Sequence, residues 1–120
     1  MHVHWFVIAS EKTINIFTEV NDRNILKLIK NFENPIPEEA SSVPFAKTLI
    51  HFLTNEHRLK NFNSLTIAAE PHFLGKIKGQ LKPPLNETVK NWIRKDLIKI
   101  PLKHLPDHLP LSQSETIKLP

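Results

Sequence analysis

Apolar and polar positions along this chain change period several times, and each change predicts an element. Trp5 to Ala9 is apolar without a break, the pattern of a central strand covered on both faces. Thr13 to Val20 alternates instead: Ile14, Ile16 and Val20 point one way, Asn15 and Glu19 the other, with Phe17 joining the second set. That is a half-buried strand, and the short connection Ser10-Glu11-Lys12 makes the pair a hairpin. Asn21 to Asn24 is a polar turn. Ile25 to Phe32 is a third strand that closes an antiparallel meander. Asn34-Pro35-Ile36-Pro37 breaks the pattern. A helix follows, capped by Ser41 or Ser42, with Pro44 in its first turn. Phe45, Leu49, Phe52 and Leu53 recur at helical spacing, and the helix frays near Lys60. Leu65 to Ala69 is a short buried strand. Pro71 starts a second helix with Phe73, Leu74, Ile77 and Leu81 as its inner stripe, and Pro83-Pro84 ends it.

Asn86 to Leu97 fits two patterns. Val89, Trp92, Ile93 and Leu97 suit a helix, slightly the better match, whereas alternation from Val89 suits a strand at a sheet edge. Leu102, Leu105 and Leu109 predict a short last helix, broken or capped around Pro106, and Leu111 to Pro120 reads as a tail. The domain is expected to span 1–109 and the tail 110–120. Three antiparallel strands followed by right-handed crossovers put the fourth strand parallel to the first. The predicted class is α/β: one domain with a five-stranded mixed sheet of order 3-2-1-4-5. Both crossover helices lie on one face, because both connections move the same way across the sheet. This is the outline of a ribonuclease-H-like sheet.

Composition narrows the function. One domain of 120 residues can bury a real core. It has no cysteine, which excludes disulfides and thiolate metal sites. Met1-His2-Val3-His4-Trp5 does not resemble a signal peptide, and no apolar stretch approaches the roughly 18 residues of a membrane span. The expected location is the cytoplasm. The net charge of +4 is uneven: Lys76 to Lys103 holds eight basic residues against Glu87 and Asp96, a local +6 that leaves −2 for the rest. One-sided charge points to an anionic partner such as RNA, a ribosome surface or a membrane surface. Its ordinary explanation is a solvated lysine-rich face.

Three stretches resemble a known family. "LTIAAEPHFLGKIKGQL" is similar to the strand-Ala-x-Pro-x-Phe-Leu-Gly block of the bacterial host attachment proteins, described as required for attachment to host cells. "VKNWIRKDLIKIPLKHLPDHL" resembles the later block of that family, in which a Val-led strand runs to Lys-Asp-Leu and a Leu-spaced helix. "WFVIASEKTINIF" resembles its opening hairpin, so the likeness covers most of Trp5 to Leu109. The family in turn resembles the middle domain of class-one translation release factors of archaea and eukaryotes, which has the ribonuclease-H-like sheet. The resemblance therefore implies a strand over Val89 to Leu97. The chain also departs from the family. Ser10 stands where an acidic residue usually follows the first strand, and His72 where an Arg commonly precedes Phe-Leu-Gly. The loop before the first helix is shortened to Asn34–Ser42.

Candidate chemistry is sparse. A ribonuclease-H-type nuclease needs several carboxylates around two metal ions, and Glu70 and Asp96 at the ends of adjacent strands are only two. Lys78-Gly79-Gln80 has half of the Gly-Gly-Gln loop of a release factor, in the wrong element. His2 and His4 share a strand face, and His104 and His108 are four apart, but each pair lacks a third ligand. No metal, cofactor or enzymatic activity is expected. Ser10, Glu70, His72 and Asp96 mark a small-ligand cleft at the carboxyl edge of the sheet. Lys76, Lys78, Lys82, Arg94, Lys95 and Lys99 are the candidate nucleic-acid face, with Trp92 to stack a base and no DNA specificity expected. The chain's only glycines, Gly75 and Gly79, are expected to let the second helix approach the sheet closely. The third strand, an edge guarded by Lys27 and Lys30, suggests a homodimer. The leading expectation is a non-enzymatic binding domain engaging RNA or the translation machinery. The alternatives are a protein-interaction factor that supports attachment indirectly and a hydrolase using Glu70 and Asp96.

Overall fold

The computed structural model describes residues 2–20, 23–35 and 41–111. They form one α/β domain with strands β1 (His4–Ala9), β2 (Thr13–Val20), β3 (Ile25–Glu33), β4 (Ser64–Ala69) and β5 (Val89–Ile93), and helices α1 (Ser42–Arg58) and α2 (Pro71–Lys78). The sheet order is β3-β2-β1-β4-β5. β1 pairs antiparallel with β2 and parallel with β4, with Ala9 opposite Ala69. The strand with no polar break is thus the central one, as two covered faces require.

Alternation along β1 divides the core. Trp5, Val7 and Ala9 face α1 and α2, where they meet Leu49, Leu53, Phe73 and Ile77. Phe6 and Ile8 face the other way, under Leu97, Leu105, Leu109 and Leu111. The chain after β5 therefore crosses to the face without helices and covers it with a 3-10 helix, Leu102–His108. Packing continues through Leu111, which is 1% exposed. Residues 112–120 of the expected tail lie outside the described residues, as do Asn21, Asp22 and 36–40.

Two bulges interrupt the ladders, and the one in β5 explains the misleading periodicity there. In β5 the register shifts so that Leu65 faces Val89 and Thr66 faces Asn91, which leaves Lys90 unmatched. Val89 and Trp92, three apart, then pack on the same helix-side core, and this imitates helical spacing. β5 is nevertheless a strand, shorter than expected, and Lys95-Asp96-Leu97 lies beyond it. In β3, Phe17 faces Leu28 and Ile16 faces Lys30, so Ile29 is the extra residue. A bulge of this kind adds twist at a sheet edge.

Two local expectations are corrected. Ser41 occupies the N-cap of α1 but makes no capping bond, because its backbone is already helical (φ −95°, ψ −5°). Its Oγ accepts from Asn34 Nδ2 instead, at 3.1 Å. Gly75 is exposed, and a Cβ built on it meets nothing within 4 Å. Phe73, Leu74 and Ile77 are the buried residues of α2, and at 100° per residue Gly75 falls on the far side. No close approach to the sheet requires either glycine.

Candidate anion-binding groove

The parallel strands have two edges, and the candidate residues divide between them. At the carboxyl edge the register of β1 and β4 puts Ser10 beside Glu70. Both are absorbed by local backbone. Ser10 Oγ accepts from the Lys12 and Thr13 amides at 3.2 and 3.1 Å and closes the hairpin. Glu70 is the N-cap of α2 and accepts from the His72 and Phe73 amides at 3.0 and 2.6 Å. Two of the orphan donors of the helix are thereby satisfied, and the carboxylate meets the positive end of the helix dipole. Asp96 holds the turn after β5 by accepting from the Ile98 amide at 3.1 Å. None of the cavities described here is lined by Ser10, Glu70, His72 or Asp96.

The six predicted cations are carried by different segments. Lys76 reaches back to Ser42 Oγ at the start of α1. Lys78 Nζ lies 4.8 Å from the centroid of the Trp92 ring, so the aromatic proposed for base stacking carries a lysine over it and is itself half-buried. Arg94 and Lys95 follow β5 at the carboxyl edge. Lys99 belongs to the segment that crosses to the helix-free face. Lys82 follows α2 at the amino edge, where both helices hand the chain back to strands.

That amino edge carries a basic groove. A cavity of about 630 Å³ lies between the end of α1 and the segment after α2, lined by Ile50, Thr54, His57, Arg58, Lys60, Gln80, Lys82, Pro83, Pro84 and Leu85. It adjoins a second of about 430 Å³ that shares Ile50, Thr54, Gln80 and Lys82 and adds Lys47 and His51. Four basic side chains and two histidines line the pair, and no acidic side chain does. Glu56, the acidic residue of α1, turns away to accept from Asn61 at 3.1 Å. Lys47, His51, Thr54 and Arg58 recur at four, three and four residues, which makes one stripe on α1. That stripe is the signal a count of charge along the chain misses.

Lys60 is the most informative member. α1 ends in a Schellman motif: the Asn61 amide donates to Glu56 O at 3.0 Å and the Lys60 amide to His57 O at 2.9 Å. Lys60 therefore sits at the left-handed position, with φ 62°, where glycine is normally found. A side chain there costs about 1 kcal/mol of backbone strain. Strain held at a residue that lines a cavity points to a use for its side chain.

On the helix-free face, at the same amino edge, a polar network interrupts the apolar sheet. Ser64 and Thr66 are buried. Asn91 Nδ2 donates to Thr66 Oγ1 at 3.1 Å. Thr66 in turn donates to His4 Nε2, 2.7 Å away, which leaves the His4 Nδ1–H for Ser64 Oγ. The Ser64 proton then points at His2 Nε2, 2.9 Å away. In this direction every buried hydroxyl both donates and accepts. Burial, and secondarily the neighbouring His2, lowers the His4 pKa from 6.5 to about 4. Both His4 ring nitrogens are engaged by hydroxyls, so the predicted histidine pair builds a hydrogen-bond chain. His104 and His108 lie in the 3-10 helix, where four residues do not return to one face.

Residues 37–109, more than half of the chain, match the family described as "Protein required for attachment to host cells". The match contains the whole groove and leaves the β1–β3 meander outside it. No curated protein matches the chain. The chain belongs to this host-attachment family.

Proposed function

We propose that this member of the host-attachment family is a cytoplasmic, non-enzymatic binding domain that engages RNA through the basic groove. The observation that carries the reading is the lining: Lys47, Arg58, Lys60 and Lys82 converge, and among the described residues no acidic side chain lines the groove with them. Cations that neutralise phosphates release counterions, so such binding is steeply salt-dependent. Of the two carboxylates a hydrolase would use, Glu70 is held as a helix cap and Asp96 in a turn, which favours binding over turnover. No helix among the described residues is long and apolar enough to cross a membrane.

The test is fluorescence anisotropy with a short single-stranded RNA across a salt series. The triple variant Arg58→Ala/Lys60→Gly/Lys82→Ala is expected to lower affinity about tenfold or more at low salt and to flatten the salt slope by about two to three units. Arg94→Ala/Lys95→Ala/Lys99→Ala is expected to change affinity less than about threefold, as charges outside the groove should. Absence of wild-type binding at low salt, or a larger loss in the second variant, overturns the reading.

A second reading, protein contact through self-association, draws on β3. It is an edge strand with Ile25 and Leu28 55% and 50% exposed, beside Leu102 at 54%. Edges with so few charged guards tend to pair. Light scattering over a concentration series should then give a mass that rises above the monomer.

A further inference from the structure

We propose that the larger half of the groove is a nucleotide pocket, seating one planar base against Pro83, Pro84 and Ile50 while Arg58, Lys60 and Lys82 hold the attached phosphate. The proposal rests on the RNA reading and deepens it from a charged surface to a site with a floor.

Size and lining fit. The cavity of about 630 Å³ is in the range of sites that take a drug-sized ligand, which combine an apolar floor with a few convergent polar groups. The floor is made of rigid or flat groups. Two successive proline rings form one side, and the His57 imidazole lines the same space, its centroid 5.6 Å from that of Phe62. Flat walls suit an aromatic base better than a flexible acyl chain, which gains more from a tube of leucine and methionine.

The position in the fold argues against a bare phosphate. Anion sites in α/β folds ordinarily use helix N-termini, where free backbone amides point at the ligand. This groove lies where α1 ends and after α2 ends, so the free amides at the starts of those two helices do not point into it. The Lys60 and Asn61 amides are already bonded to the helix. The ends of both helices carry partial negative charge, which Arg58 in the last turn of α1 in part neutralises. A phosphate here is held by side-chain charge alone. A ligand that also brings a base gains the apolar contact, and discrimination between the two is what a pocket adds to a charged surface.

The experiment compares a nucleoside 5′-monophosphate, ribose 5-phosphate and inorganic phosphate at low salt. Affinity is read by calorimetry, and the Ile50 and Leu85 methyl resonances by NMR. The nucleotide is expected to bind about tenfold more tightly than ribose 5-phosphate, the increment of one stacked base. It alone should move the Ile50 and Leu85 methyls, and Lys82→Ala should weaken both organic phosphates. Equal affinities with unmoved methyls overturn the pocket. If RNA still binds in a salt-dependent way in that case, the RNA reading stands without it. If RNA does not bind either, both fall.

Discussion

The carboxyl edge of the parallel strands and the helix-side groove at their amino edge use their polar residues in opposite ways. At the carboxyl edge, the usual ligand edge of an open α/β sheet, Ser10, Glu70 and Asp96 each bond backbone amides within three residues of themselves. In the groove at the amino edge, Lys47, Arg58, Lys60 and Lys82 surround open space, with Arg58 also donating to Asn55 Oδ1 at 3.0 Å. A polar side chain that a turn or a cap already uses has its chemistry committed. A charge at a strained position facing a cavity has not.

Four measurements sharpen or break that contrast. The largest expected effect comes from acid. His4, at the amino edge, is neutral in the fold and titrates near pH 4 against 6.5 when unfolded. The unfolded chain thus binds more protons between those values. Stability is complete above about pH 6.5 and falls as the pH drops toward 4, by about 1–2 kcal/mol after allowance for solvent screening of a half-buried ring. Urea unfolding across that range should show the slope in wild type and a reduced slope in His4→Gln. Glu70→Ala tests the carboxyl edge. Loss of the cap of α2 should cost about 1 kcal/mol in thermal or urea unfolding while RNA affinity stays unchanged. An affinity loss there would mean the carboxyl edge is more than scaffold.

Lys60→Gly separates structure from function at one residue. Glycine relieves the left-handed strain, so stability should rise by about 0.5–1 kcal/mol while RNA binding weakens. A variant both more stable and equally good at binding would remove Lys60 from the site. The smallest effect is expected in α2, which links the two edges. Gly75→Ala should stabilise by about 0.5–1 kcal/mol, since the added methyl meets nothing. A loss in melting temperature would restore the close-approach reading.

The helix periodicity of α2 contained its own correction. Once Phe73, Ile77 and Leu81 are assigned inward, 100° per residue sends Gly75 and Gly79 outward. The stripe of Lys47, His51 and Arg58 on α1 was equally legible. Counting charge between Lys76 and Lys103 hid it, because cations that converge here come from two segments about twenty residues apart. By contrast, nothing in the sequence of β5 announced the bulge at Lys90. A bulge arises from pairing with β4, and its only trace in one strand is a false helical spacing.

What the sequence by itself determined is the order of the elements and the type of each but the fifth strand, where the family resemblance rather than the periodicity gave a strand. Alternation, proline and turn residues act within a few positions, and a right-handed crossover then leaves one sheet topology. What only the tertiary structure decided is which polar residues remain available. Glu70 is a cap because α2 begins at its side, and Lys82 is a groove residue because the end of α1 lies across from it. Availability depends on which neighbours the fold supplies through space, and for the groove those neighbours belong to another element.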